Sequence, residues 1–165
     1  MATPRRQDDS GVPAHDITPG DLQGIRQIMT AGIACVDETA SLDDLRELLL
    51  ERGQHVVPVV AREGRPVGVV TQTDLLRTIS EAETGERRPP TGDPRDRTAG
   101  DIMTALVFAL PVTASVEQAA ALMAYEGVEQ IVITDLRGEV AGVVRALDVA
   151  RRCARSAGYL VDREE

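Results

Sequence analysis

The chain has 165 residues, a formal net charge of −9, and 18 basic residues that are all arginine. An acidic composition with one Phe, two Tyr and no Trp argues against general nucleic-acid binding, which rests on phosphate neutralisation and base stacking. No apolar run reaches the roughly 18 residues of a membrane span, and the Pro- and Arg-bearing start lacks the apolar stretch of a signal peptide, so the expectation is a cytoplasmic protein without a membrane partner.

Residues 1–23 carry Pro4, Pro13 and Pro19 and little periodicity, the pattern of a disordered tail. Ile28-Met29-Thr30-Ala31 then leads to a short apolar strand predicted at 33–36. Ser41, with Asp44 three positions on, opens a helix as a capping box. Leu42, Leu45, Leu48 and Leu49 share one helical face, and Gly53 sits where a left-handed cap is wanted. Two β-rich runs follow at 56–61 and 66–70, joined through Glu63-Gly64-Arg65, a tight hairpin turn. A second helix begins near Asp74. Pro89, Pro90 and Pro94 mark a linker over 81–98.

The same order then returns. Ile102-Met103-Thr104-Ala105 repeats the opening, a strand is predicted at 107–110, and Ser115 with Gln118 repeats the capping box. Val116, Ala119, Ala120, Leu122 and Met123 form the apolar helical face, and Gly127 is the cap. Strands at 130–134 and 140–144 meet through Arg137-Gly138-Glu139, and a last helix starts near Asp148. Every matching pair lies 74 residues apart, and aligning 28–77 on 102–151 without a gap gives 15 identities in 50 positions, where chance supplies about 3. The chain therefore carries a duplicated supersecondary unit, with repeats at 24–80 and 99–158 and a short tail at 159–165. A unit of about 60 residues buries only about 60% of its unfolded surface, so each copy is expected to need the other.

These residues resemble the cystathionine-β-synthase (CBS) domain, a family found as tandem pairs. The Ile-Met-Thr opening, Val56-Val57-Pro58-Val59-Val60 and Gly68-Val69-Val70-Thr71-Gln72-Thr73-Asp74 carry the likeness, in order and at one offset. The resemblance implies an α/β (α+β) fold of two β-α-β-β-α repeats packed about a pseudo-twofold axis. It implies a regulatory module, not an enzyme, that dimerises and binds AMP, ADP, ATP or S-adenosylmethionine in clefts between repeats, with no required cofactor. Its protein partner is not readable from the residues. The alternative is a ligand-independent dimeric interaction scaffold.

The Gly-x-x-Thr-x-x-Asp segment has a physical reading of its own. Gly68 lets backbone approach a neighbour closely. Thr71 and Asp74 lie at a strand-to-helix junction, where the carboxylate is suited to accept from a ribose cis-diol and helix-start N–H groups favour a phosphate. The competing reading is that Thr71 and Asp74 only cap the helix. At the aligned positions the second copy has Arg145 and Asp148, and His55 faces Glu129. A histidine can face ligand phosphates whereas a glutamate repels them, so the favoured cleft is assigned His55, Gly68, Thr71 and Asp74. By resemblance, Thr104, Val107, Phe108, Gln130 and Ile131 supply its adenine side. The second cleft is assigned Thr30, Ile33, Val56, Arg145 and Asp148, with Arg145 either holding a phosphate or, the preferred reading, blocking the cleft. No nucleophile–base pair and no metal-ligand cluster is legible. Cys35 and Cys153 read as reduced thiols near the core, with a redox role for Cys35 as the alternative.

Overall fold

The computed structural model describes residues 24–84 and 96–159; the expected N-terminal tail, the expected C-terminal tail after Tyr159 and most of the expected linker lie outside them. The first copy opens with a single 3-10 turn, Ile25–Gln27, and strand β1, Thr30–Ala31. Helix α1 (Leu42–Arg46) runs on as a wide π turn (Glu47–Glu51), followed by β2 (Val56–Val60), β3 (Pro66–Thr71) and α2 (Gln72–Thr84). The second copy has α3 (Ala99–Ile102), β4 (Ala109–Pro111), α4 (Val116–Glu126), β5 (Gln130–Thr134), β6 (Val140–Arg145) and α5 (Ala146–Ser156).

Both predicted capping boxes form. The Asp44 N–H donates to Ser41 Oγ at 3.2 Å and the Ser41 N–H to Asp44 Oδ2 at 3.0 Å; the Ser41 hydroxyl, donating to Oδ2 at 2.7 Å, and then the Ser41 N–H hold the Asp44 carboxyl below its usual pKa. Ser115 and Gln118 repeat the pattern at 3.2 and 2.9 Å. The hairpins close at Gly64 and Gly138, whose φ of 75° and 83° lie in the left-handed region that glycine enters without strain.

The opening strands differ from expectation. In the first copy only Val36 pairs, with Val59 in parallel, and Ile33 lies outside any strand. The segment turns away because the Asp37 carboxylate accepts from the Thr39 N–H at 2.8 Å, a side-chain turn that competes with strand pairing. In the second copy β4 pairs with β5 over Ala109–Pro111, two residues later than predicted at its start. Helix α2 also continues to Thr84, so residues 81–84 are helix, not linker.

The copies exchange their openings. Strand β1 of the first copy pairs with β6 of the second, Thr30 opposite Val143. At the same offset, Thr104 of the second copy bridges Val69 of the first. Ile25 is fully buried in a core otherwise built from the second copy (Val116, Ile131, Ile133, Val144), with Ile28 and Met29 packed against it. Ala99, Ile102 and Met103 return the favour in the first copy's core of Leu45, Leu49, Val57, Val70 and Leu75. This reciprocal register is the pseudo-twofold relation, and it makes each core incomplete without the other copy.

Candidate functional site

Two cavities flank the line where the copies meet. The first, about 300 Å³, is lined by Thr71 at the end of β3, by Thr104, Leu106 and Phe108 from the second copy's opening, and by Val128–Val132 at the start of β5, with Val56, Val69 and Val143 behind them. The second, about 320 Å³, is its counterpart: Arg145 ends β6, Thr30 and Ile33 come from the first copy's opening, and Arg52–Val56 lead into β2. Val56, Gln130 and Val143 belong to both walls. Each cleft thus takes the end of one copy's hairpin and the opening and hairpin start of the other.

The carboxylates beside the clefts are bound differently. Asp74 Oδ2 accepts from the Thr71 N–H at 2.9 Å and from its hydroxyl at 2.6 Å, while Thr71 Oγ accepts from the Asp74 N–H at 3.3 Å. This is a helix cap. Its hydrogen bonds engage one oxygen only: among the described residues Oδ1 is ion-paired with Arg77 Nη1 at 3.9 Å. The Asp148 carboxylate is engaged at both ends. Its Oδ2 accepts from the Arg145 N–H at 3.0 Å and Nε at 3.3 Å, and Oδ1 from Nη2 at 3.4 Å.

A profile of the CBS domain family matches residues 25–81 and again 99–155. The chain belongs to the CBS domain family. Among curated relatives, this CBS pair is 27% identical over 127 residues to Hypoxic response protein 1 of Mycobacterium tuberculosis, covering 76% of this chain and 82% of that protein. It is 25% identical over 128 residues to an uncharacterized protein of Methanocaldococcus jannaschii, covering 78% of this chain but only 28% of that protein's length. Among solved structures, that of CBSX2 in complex with AMP is similar with a TM-score of 0.58 and 25% identity, over 84% of this chain and 96% of the other.

Against the expected site, the CBS pair brings Thr71, Thr104, Phe108, Gln130 and Ile131 to one cleft wall. Val107 lies between two lining residues without lining the cavity, and Asp74 stands behind Thr71 at the start of α2. Gly68 is structural: a Cβ there would overlap the Met103 side chain of the other copy's opening. His55 is placed differently from expectation. It lines the second cleft beside Arg52 and Arg145, and Glu129 takes the corresponding place in the first. The reason is chain adjacency. His55 enters β2 directly before Val56, and the start of each hairpin strand travels with its own copy's opening, not with its own copy's Thr71 or Arg145.

Arg145 does not fill the second cleft, which stays about as large as the first; it covers the Asp148 carboxylate instead. Among the described residues no group of three or more His, Cys, Asp or Glu is arranged to hold a metal, and no helix is long and apolar enough to cross a membrane. Half-burial raises the Cys35 thiol's pKa, which keeps it protonated at neutral pH and gives no support to a redox role.

Proposed function

We propose that this CBS pair is a regulatory module that senses an adenine nucleotide or S-adenosylmethionine in the first cleft and transmits its binding to a protein partner. The observation that carries this reading is Asp74 Oδ1, which is engaged only by the long ion pair with Arg77 among the described residues. The cap fixes the carboxylate through Oδ2 and leaves Oδ1 for a ribose hydroxyl, a charge-assisted bond of about 1.5–3 kcal/mol. The likeness to CBSX2, solved with AMP, supports the ligand class. In the second cleft the Arg145–Asp148 bridge engages both carboxylate oxygens, so one site per chain is the reading.

A second reading, a ligand-independent interaction scaffold, draws on Leu76 and Leu147, which stand 57% and 51% exposed on α2 and α5. A homodimer through these helices is compatible with either reading.

A thermal-shift panel with AMP, ADP, ATP, S-adenosylmethionine and NAD separates the two. A ligand that binds only the folded state stabilises it by about 2.7 kcal/mol at a hundredfold excess over Kd. One compound is expected to raise Tm in the wild type and in Asp148→Ala, and to lose its effect in Asp74→Ala. No shift with any compound favours the scaffold, and a shift kept in Asp74→Ala contradicts the assignment of binding to Asp74.

A further inference from the structure

The first cleft has one charged residue in its wall, Glu129, and no basic one; Thr71, Thr104 and Gln130 are its other polar residues, and the rest are apolar. The second cleft is its opposite, with Arg52, His55 and Arg145 in the wall. Glu129 is exposed, and its backbone is fixed beside the cleft because its carbonyl accepts from the Ala146 N–H at 2.8 Å. It also borders a neighbouring hollow with His55 and Arg145. Among the described residues its carboxylate is nevertheless in no ion pair, and Arg145 is engaged by Asp148. The fold does not dictate an acid here, since the aligned residue of the first copy is His55. Arg77 pairs with Asp74 Oδ1 at 3.9 Å and does not line the cavity.

We infer that Glu129 sets the charge of the ligand: the first cleft takes an adenosine with a positive charge at its 5′ end, a sulfonium, in preference to a 5′-phosphate. This rests on the proposed reading of the first cleft and chooses between the ligand classes named there. With Asp74 facing the ribose hydroxyls, a phosphate on the 5′ carbon finds no basic side chain in the wall, and a charge taken from water without a partner is unfavourable. A charge inside a cavity of about 300 Å³ lies within about a Debye length of Glu129, about 8 Å at physiological salt. The carboxylate therefore repels a phosphate and attracts a sulfonium. S-adenosylmethionine carries its sulfonium sulfur on the 5′ carbon itself, where AMP carries its phosphate ester. Because Glu129 is exposed, solvent screens the effect, which makes it a preference of several-fold and not a block.

The test is a calorimetric titration of the full chain with S-adenosylmethionine, S-adenosylhomocysteine and AMP, in the wild type, Glu129→Gln and Asp74→Ala. The first two ligands differ by one methyl group and the sulfonium charge, and Glu129→Gln removes the acid's charge at nearly constant shape. Glu129 is exposed, so the unliganded Tm of Glu129→Gln is expected to match the wild type. The wild type is expected to favour S-adenosylmethionine over S-adenosylhomocysteine by about fivefold and over AMP by about tenfold. Glu129→Gln should bring the first two within about twofold and tighten AMP about threefold, while Asp74→Ala weakens S-adenosylmethionine. AMP bound as tightly as S-adenosylmethionine by the wild type, or preferences unchanged in Glu129→Gln, would overturn the role of Glu129 and leave the cleft reading intact. Binding of none of the three, or S-adenosylmethionine binding indifferent to Asp74→Ala, would overturn the cleft reading and this inference together.

Discussion

At the scale of single residues, the two halves of the molecule diverge at one side chain. Asp74 and Asp148 occupy equivalent helix starts, and each Oδ2 caps the first turn. Their second oxygens differ because residue 71 is threonine and residue 145 is arginine. A hydroxyl reaches one carboxylate oxygen, whereas a guanidinium presents a fork of donors and spans both. Arg145→Thr is therefore expected to release Asp148 and give the second cleft a ribose acceptor, adding a weaker second binding event to a calorimetric titration with the ligand identified in the thermal panel. An unchanged single event would mean that Arg145 is not what silences this cleft. Charge is also split between the clefts: Arg52, His55 and Arg145 line the second and Glu129 the first. The bare substitution of His by Glu was legible in the sequence, but the side on which each falls was not. That placement follows from the exchange of openings, a long-range pairing that residue types alone do not encode.

At the scale of elements, local signals were legible and non-local ones only partly so. Capping boxes, glycine turns and hairpin strands depend on residues within a few positions, and the structure has them where the sequence indicates. The opening strands shift because their extent is set by a partner far along the chain and by the Asp37 side chain. The two strand glycines, Gly68 and Gly142, mark where the exchanged segments cross. A Cβ at Gly142 would overlap the backbone carbonyl of Thr30, while one at Gly68 would meet the Met103 side chain. A flexible thioether gives way more cheaply than backbone. Gly142→Ala is thus expected to cost about 2–3 kcal/mol and Gly68→Ala about 1 kcal/mol, measured by urea denaturation. Equal costs would contradict the crossing geometry. The partly buried ion pair between Arg97 and Glu81, at 3.0 Å, ties α2 to the residues just before α3.

At the scale of the whole molecule, duplication explains why 165 residues make two clefts and not one. Each core borrows its neighbour's opening turn, so the copies form one structural unit, and ligand held between Thr71 of one copy and Phe108 of the other would brace both. Such bracing is how a small molecule's binding energy becomes a change that a partner protein can read, since a ligand shifts an equilibrium only through unequal affinity for its states. The shared wall of Val56, Gln130 and Val143 makes both clefts part of the same framework. On the proposed reading, divergence after duplication leaves one cleft for recognition. The most direct measurement is the stoichiometry of ligand binding by isothermal titration calorimetry, using the compound that the thermal panel selects. The account predicts one site per chain in the wild type, the same in Asp148→Ala, and none in Asp74→Ala. Two equal sites, or a single site that survives Asp74→Ala, would contradict it.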